Sequence, residues 1–189
     1  MGFTATCCKL KFSLLLLTFF LFLSVPQILL GQLSPDELRA EKLYVQGLVQ
    51  LADKKFESAE RTFKRVIELT DSIHYVAAKR QAVWSLGKLY EETQDTYSFQ
   101  VLSNKYKQSF DTALANKALY DQVSDGLCLA GLYLIEDTAK SEGAKRVVVL
   151  LNSILDLVSG TEFERLEPVI YNDLAIFFQE TGKDSKASR

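Results

Sequence analysis

The sequence predicts an all-α chain, folded as a right-handed solenoid of antiparallel helix hairpins. Three observations carry the prediction. The first is self-similarity. Four segments read Tyr44-Val45-Gln46-Gly47, Trp84-Ser85-Leu86-Gly87, Cys128-Leu129-Ala130-Gly131 and Asn172-Asp173-Leu174-Ala175. Their last residue, always small, falls at 47, 87, 131 and 175, at intervals of 40, 44 and 44 residues. A period near 40 marks a stack of like units rather than one indivisible core. The second observation is that apolar residues recur at helical spacing, with no alternating strand pattern of useful length. The third is punctuation. After residue 31 the only prolines are Pro35 and Pro168, each where a helix would start.

Residues 1–31 read as a signal peptide or an N-terminal membrane anchor. Lys9 and Lys11 precede a run from Phe12 to Leu30 that is almost wholly apolar, and no acidic residue occurs before Asp36. A basic start, an apolar stretch and the small Gly31 make an export signal. Pro26-Gln27 suits the break before cleavage, although Leu29 stands where a small residue is favoured. Left uncleaved, the run just spans a bilayer core of about 30 Å, with the two lysines keeping the N-terminus cytoplasmic. Both readings export the remainder: secreted or periplasmic after cleavage near Gly31, otherwise anchored with the C-terminal domain outside the cytoplasm. Met1 to Thr6 also fits the loose myristoylation pattern, with Cys7 and Cys8 beside it. The apolar run behind it makes that anchor redundant. The chain holds 22 basic and 24 acidic residues, a net charge of −2, which gives no electrostatic case for nucleic acid. Beyond the leader Cys128 is the only cysteine, so no disulfide staples the domain within the chain.

Residues 32–182 are expected to form one helical repeat domain, followed by a polar tail, 183–189, expected to be disordered. Ser34-Pro35-Asp36-Glu37 opens the first helix, with Ser as cap, Pro at the first helical position and acids against the dipole. This helix runs from about Pro35 to Ala52, with Leu38, Leu43, Gly47, Leu48 and Leu51 on one side. Asp53-Lys54-Lys55 is a polar turn. The second helix, about Phe56 to Thr70, aligns Phe56, Ala59, Phe63, Val66, Ile67 and Leu69; the third, about Ile73 to Thr93, aligns Val76, Ala77, Val83, Leu86, Gly87 and Tyr90. Thr96 to Ala118 is either one long helix or a loop followed by a helix from near Ser103. A fifth helix covers about Leu119 to Asp137. A sixth, about Glu142 to Val158, ends at Ser159-Gly160 as a C-terminal glycine should. The seventh, about Glu167 to Glu180, stops at Thr181-Gly182.

The pairs resemble tetratricopeptide repeats. In that family the first helix of a hairpin carries a large residue, Leu-Gly and Tyr, and the second a small Ala, an aromatic and further apolar residues. Unit one matches at Gly47, Phe56, Ala59, Phe63, Val66 and Leu69, and departs at Gln46 and Gln50. Unit two matches at Val83-Trp84, Leu86-Gly87 and Tyr90, then at Tyr106, Phe110 and Ala113-Leu114 after about seven extra residues. Unit three matches at Leu127, Ala130-Gly131, Leu134, Ala144, Val148 and Leu151. The last is a first helix only, Tyr171 to Ala175 with Phe178 and Gly182. The resemblance covers about 140 residues, or about 3.5 units. The long period is similar to that of extracytoplasmic sensor regions of bacterial signalling proteins. The small residues at 47, 87, 131 and 175 are expected to let the second helix of each pair approach the first, with Ala59 and Ala144 reciprocating.

The resemblance implies a non-catalytic scaffold that binds a partner protein or peptide in a concave groove lined by first helices. Carried over by position, the groove presents Tyr44, Leu48 and Leu51 from unit one, Trp84 and Lys88 from unit two, Cys128, Leu132 and Ile135 from unit three, and Asn172 from unit four. Tyr44, Leu48, Trp84 and Leu132 make an apolar seat for a helix or strand, and Lys88 a contact for a carboxylate. Tyr44 and Trp84 read equally well as seam residues packed between units. The Lys, Asn and Arg clamp of chaperone-binding members is absent, its places taken by Tyr44, Leu48 and Trp84. The rival reading is a sensor region of a histidine kinase or DNA-binding regulator whose output domain is missing from this chain. The seventh helix is expected to act as a cap, turning Asp173, Glu180 and Lys183 to solvent.

No enzymatic chemistry is expected, and no cofactor or metal. His74 is the only histidine and has no cysteine or paired carboxylates near it in sequence; it reads as a turn residue. There is no G-x-S-x-G, no phosphate-binding loop, no G-x-G-x-x-G and no metal-ligand spacing. Cys128 on an apolar face reads as a packed small hydrophobe.

Overall fold

The computed structural model describes residues 33–136 and 141–187, with side chains described for 33–136 and 145–178. Among these residues the chain is all-α: α1 (Pro35–Ala52), α2 (Phe56–Ser72), α3 (Val76–Glu92), α4 (Thr96–Asn116), α5 (Leu119–Glu136), α6 (Ser141–Val158) and α7 (Glu167–Ala187), the last preceded by a 3-10 turn (Glu164–Leu166). The export segment, 1–31, lies outside the described residues, and no helix within them is long and apolar enough to cross a membrane.

The chain divides into two units between Arg39 and Ala40. Of the first, only the start of α1 is described. Glu37 N–H donates to Ser34 Oγ (3.2 Å) and Ser34 N–H donates to Glu37 Oε2 (2.7 Å). This reciprocal capping box occupies two backbone donors that a bare helix start leaves unpaired.

In the second unit, four turns repeat one device. Lys54, His74, Gln94 and Lys117 have left-handed backbones, with φ of 58°, 55°, 57° and 54°. The residue after each donates its N–H to a carbonyl five residues back: Lys55 to Gln50, Tyr75 to Thr70, Asp95 to Tyr90 and Ala118 to Ala113. This is the Schellman closure of a helix end, a place more often taken by glycine. The left-handed residues lie 20, 20 and 23 apart, about half the sequence period.

Helix boundaries depart from expectation at the start of α3 and the end of α7, and of the two readings left open for Thr96 to Ala118 the single long helix is the one that forms. α3 begins at Val76 rather than Ile73, because Ile73 caps α2 and His74 makes the left-handed turn. Residues 96–116 form one helix of 21 residues, so the extra residues between Asp95 and Tyr106 lengthen α4 and make no loop. Asp95 starts it by accepting from Ser98 N–H at 3.0 Å, and that hydrogen bond holds its carboxyl below the ordinary range. α7 does not stop at Thr181-Gly182; its backbone stays helical to Ala187, through most of the expected tail. One glycine inside a helix costs only about 1 kcal/mol, and no proline follows to end it.

α1 and α2 meet where Gly47 lies under Phe63: a Cβ there would stand 2.5 Å from the ring. Thr62 donates to Gln50 across the same contact at 2.7 Å. α2 buries one stripe, Ala59, Phe63, Val66, Ile67 and Thr70, as an amphipathic helix should. α5 packs against α3, α4 and α6. Its residues 122–132 are all buried, and a helix enclosed on every side is the interior element of its domain.

The glycines place these contacts. Gly126 admits Phe110 of α4 and Ile154 of α6, each 2.9 Å from a Cβ built there. Gly87 of α3 lies against Leu132 and Ile135 of α5, and Gly131 of α5 against Trp84 of α3. The small residues at 87 and 131 therefore serve mainly the approach of α3 to α5, not that of a second helix to a first as expected. Ala59 is buried as expected, Ala175 is exposed, and the side chain of Ala144 lies outside the described ones.

α7 packs on α6 and is tied to α3 by a paired contact between Arg80 and Asp173. Arg80 Nε donates to Asp173 Oδ2 at 3.0 Å, and Arg80 Nη2 donates to Oδ1. Asp173 is thus buried, not turned to solvent as expected of a cap. Burial raises its carboxyl pKa and Arg80 works against the rise. The Glu180 and Lys183 side chains lie outside the described ones.

Candidate functional site

The expected groove residues divide into two groups. Tyr44, Leu48 and Leu51 lie at helical spacing along α1, and Trp84 and Lys88 one turn apart on α3. The two helices touch where the Tyr44 and Ser85 hydroxyls hydrogen-bond at 3.2 Å. Tyr44 is half-buried, its ring 6.0 Å from that of Phe63, so it serves in part as the seam residue the alternative reading expected. Leu48 is 38 % exposed and Trp84 42 %. Lys88 Nζ sits 5.9 Å from the Trp84 ring and pairs with Glu91 at 2.7 Å. A surface pair of that kind is worth little and yields easily to a better carboxylate.

The second group is corrected. Cys128, Leu132 and Ile135 are buried in the core and line no open groove. α5 is covered by α3, α4 and α6, so the face expected to present them is used for packing. Burial pushes the Cys128 thiol up to about 12, which keeps it protonated and unreactive at neutral pH. Asn172 of α7 is exposed. The structure therefore brings Tyr44, Leu48, Leu51, Trp84 and Lys88 onto adjacent helices and removes three residues from the expected set.

Two further features were not expected. A groove of about 580 Å³ is lined by Phe110 and Leu114 of α4, Leu129 of α5, and Val149 and Leu150 of α6, with Lys107 and Arg146 also beside it. Leu114 and Val149 are exposed there. Their helical spacing was visible in the sequence, but it gave no means of telling an outer face from an inner one.

The other feature is a buried polar cluster. Lys79 of α3 donates to Asp125 of α5 at 2.7 Å and to Asp71 of α2 at 2.6 Å, and Ser109 of α4 donates to the second oxygen of Asp125. Burial works against the charge on Lys79. The hydrogen-bonded carboxylates of Asp125 and Asp71 outweigh it and hold its pKa above the ordinary lysine value. Among the described residues no group of histidine, cysteine and carboxylate side chains is placed to hold a metal ion. Comparison with protein-family models, with curated proteins and with solved structures found no match to this chain.

Proposed function

We propose that the helix pairs stack as a right-handed, tetratricopeptide-like solenoid of about 3.5 units. On this reading the chain is an exported, non-catalytic scaffold that holds a partner protein or peptide on the face formed by α1 and α3. The observation that carries it is Trp84, the chain's single tryptophan, left 42 % exposed on a helix whose other apolar residues are mostly buried. A rigid aromatic with an apolar body and a cation over its ring is the kind of anchor around which binding hot spots form. On this reading Leu48 and Leu51 of α1 add apolar surface to the seat of a peptide helix or strand. Export rests on residues 1–31, and contact with a membrane is confined to that segment when it is uncleaved. The near balance of charge supports no nucleic-acid partner.

Affinity capture compares the wild-type chain with Trp84→Ala and with Val149→Asp in the α4–α6 groove. The expected result is that Trp84→Ala loses a partner that Val149→Asp retains, with helicity unchanged in both. Loss in Val149→Asp alone would move the partner to the other groove, and equal capture by all three would contradict the reading.

A further inference from the structure

The polar cluster opens into a pocket of about 230 Å³, lined by Asp71, His74, Lys79, Tyr106, Tyr120 and Asp125 among others. It is separate from the α1–α3 face and does not depend on the partner reading. Its volume of about 230 Å³ equals about eight waters at about 30 Å³ each, which suits a molecule of a few heavy atoms and no peptide.

Two features mark it as more than a crevice. The first is unused hydrogen-bonding capacity. Tyr106 is only 2 % exposed, yet its hydroxyl, on the pocket wall, has no hydrogen-bond partner. Tyr120 of the facing helix lines the pocket too, with the buried Ser124 one turn further along its helix. Buried polar groups are nearly always satisfied, so an orphaned hydroxyl on a pocket wall needs an explanation. The second feature is charge. Lys79 is set between two carboxylates, Asp71 and Asp125. At the rim Lys105 and Asp121 offset each other. One negative charge is left over whether or not that outer pair is counted. The walls are aromatic: Lys79 Nζ lies 5.8 Å from the Tyr106 ring centre, and the His74 and Tyr120 rings meet edge-on at 4.4 Å.

We infer that this pocket binds a small organic cation bearing a primary ammonium group. Asp71 spends one oxygen on Lys79 and takes the ammonium with the rest of its carboxylate, a charge-assisted bond stronger than a neutral one. The Tyr106 and Tyr120 hydroxyls, able to donate or accept, fix the polar remainder. The rings add the attraction of an aromatic face for a cation. An anion of the same size meets the uncompensated carboxylate and is disfavoured.

The test uses three matched probes on the full chain at constant ionic strength: ethanolamine as the cation, ethylene glycol as the neutral form and glycolate as the anion. Calorimetry is expected to show binding of ethanolamine, with a dose-dependent rise in Tm, and much weaker or no binding of the other two. Tyr106→Phe, which deletes only the hydroxyl, should weaken ethanolamine about tenfold while leaving Tm at or above the wild-type value. Asp71→Asn, at a half-exposed position that does not threaten folding, should weaken it at least as much. The site is overturned by glycol or glycolate binding as tightly as ethanolamine, by unchanged ethanolamine affinity in both variants, or by no binding of any probe.

Discussion

Asp125→Ala is expected to destabilise the fold by about 3 kcal/mol, the largest effect of any single change outside the apolar core. Asp125 and Lys79 each keep only 6 % of their side-chain surface in contact with solvent. Removing one member of such a pair leaves its partner's charge poorly solvated, and the usual cost is about 3–5 kcal/mol. The lower end applies because Asp71 still accepts from Lys79 at 2.6 Å. Deleting both charges at once is a different matter. The double substitution Lys79→Met with Asp125→Leu should lie within about 1 kcal/mol of the wild type, since well-packed apolar replacements of a buried pair are often neutral or better. The pair also has a pH signature. The folded state holds the Lys79 proton more tightly than the unfolded chain does. The contribution is therefore complete below the ordinary lysine pKa and is lost as pH rises past it. Urea unfolding of the two variants checks the first point. An Asp125→Ala variant as stable as the wild type would show that the cluster is not buried as described.

Leu132→Ala is expected to cost about 2–5 kcal/mol, whereas Leu48→Ala should cost less than about 1 kcal/mol. The two residues occupy equivalent positions in the repeat resemblance. Leu132 is fully buried against Gly87, and its truncation leaves a cavity between α3 and α5. Leu48 keeps 38 % of its surface in solvent and its truncation leaves no cavity to fill. Denaturant midpoints at equal slope measure the difference directly. Similar losses for both would mean that the first helices present one uniform face, and the separation of core from surface drawn above would fail.

Much of the helical architecture was legible from local chemistry. Ser34-Pro35-Asp36-Glu37 marked a helix start by its side chains alone, and the capping box forms there. Ser159-Gly160 marked an end, and α6 stops at Val158 with Gly160 in the left-handed region. The turns at 54, 74, 94 and 117 were harder to place, because Lys, His, Gln and Lys occupy positions where glycine would have announced a left-handed residue. That is why the sequence alone places the start of α3 three residues early. The candidate site was legible only in part. Periodicity identified the apolar stripes on α1, α3 and α5 but not what covers each one. The same pattern that leaves Trp84 partly open in α3 encloses Cys128, Leu132 and Ile135 in α5. Long-range pairs were invisible for the same reason. Lys79 with Asp125, and Arg80 with Asp173, join residues 46 and 93 positions apart, and no local rule links them.

The central claim, that a partner seats on the α1–α3 face, meets its most direct test in the fluorescence of Trp84. It is the only tryptophan, so emission excited beyond the tyrosine absorption reports the surroundings of this one residue. In the free chain the indole, 42 % exposed, should be open to quenching by acrylamide. Saturation with the captured partner should blue-shift its emission and cut the quenching constant severalfold, as burial of an anchor residue requires. A partner that binds stoichiometrically and leaves both the emission and the quenching of Trp84 unchanged would contradict the account.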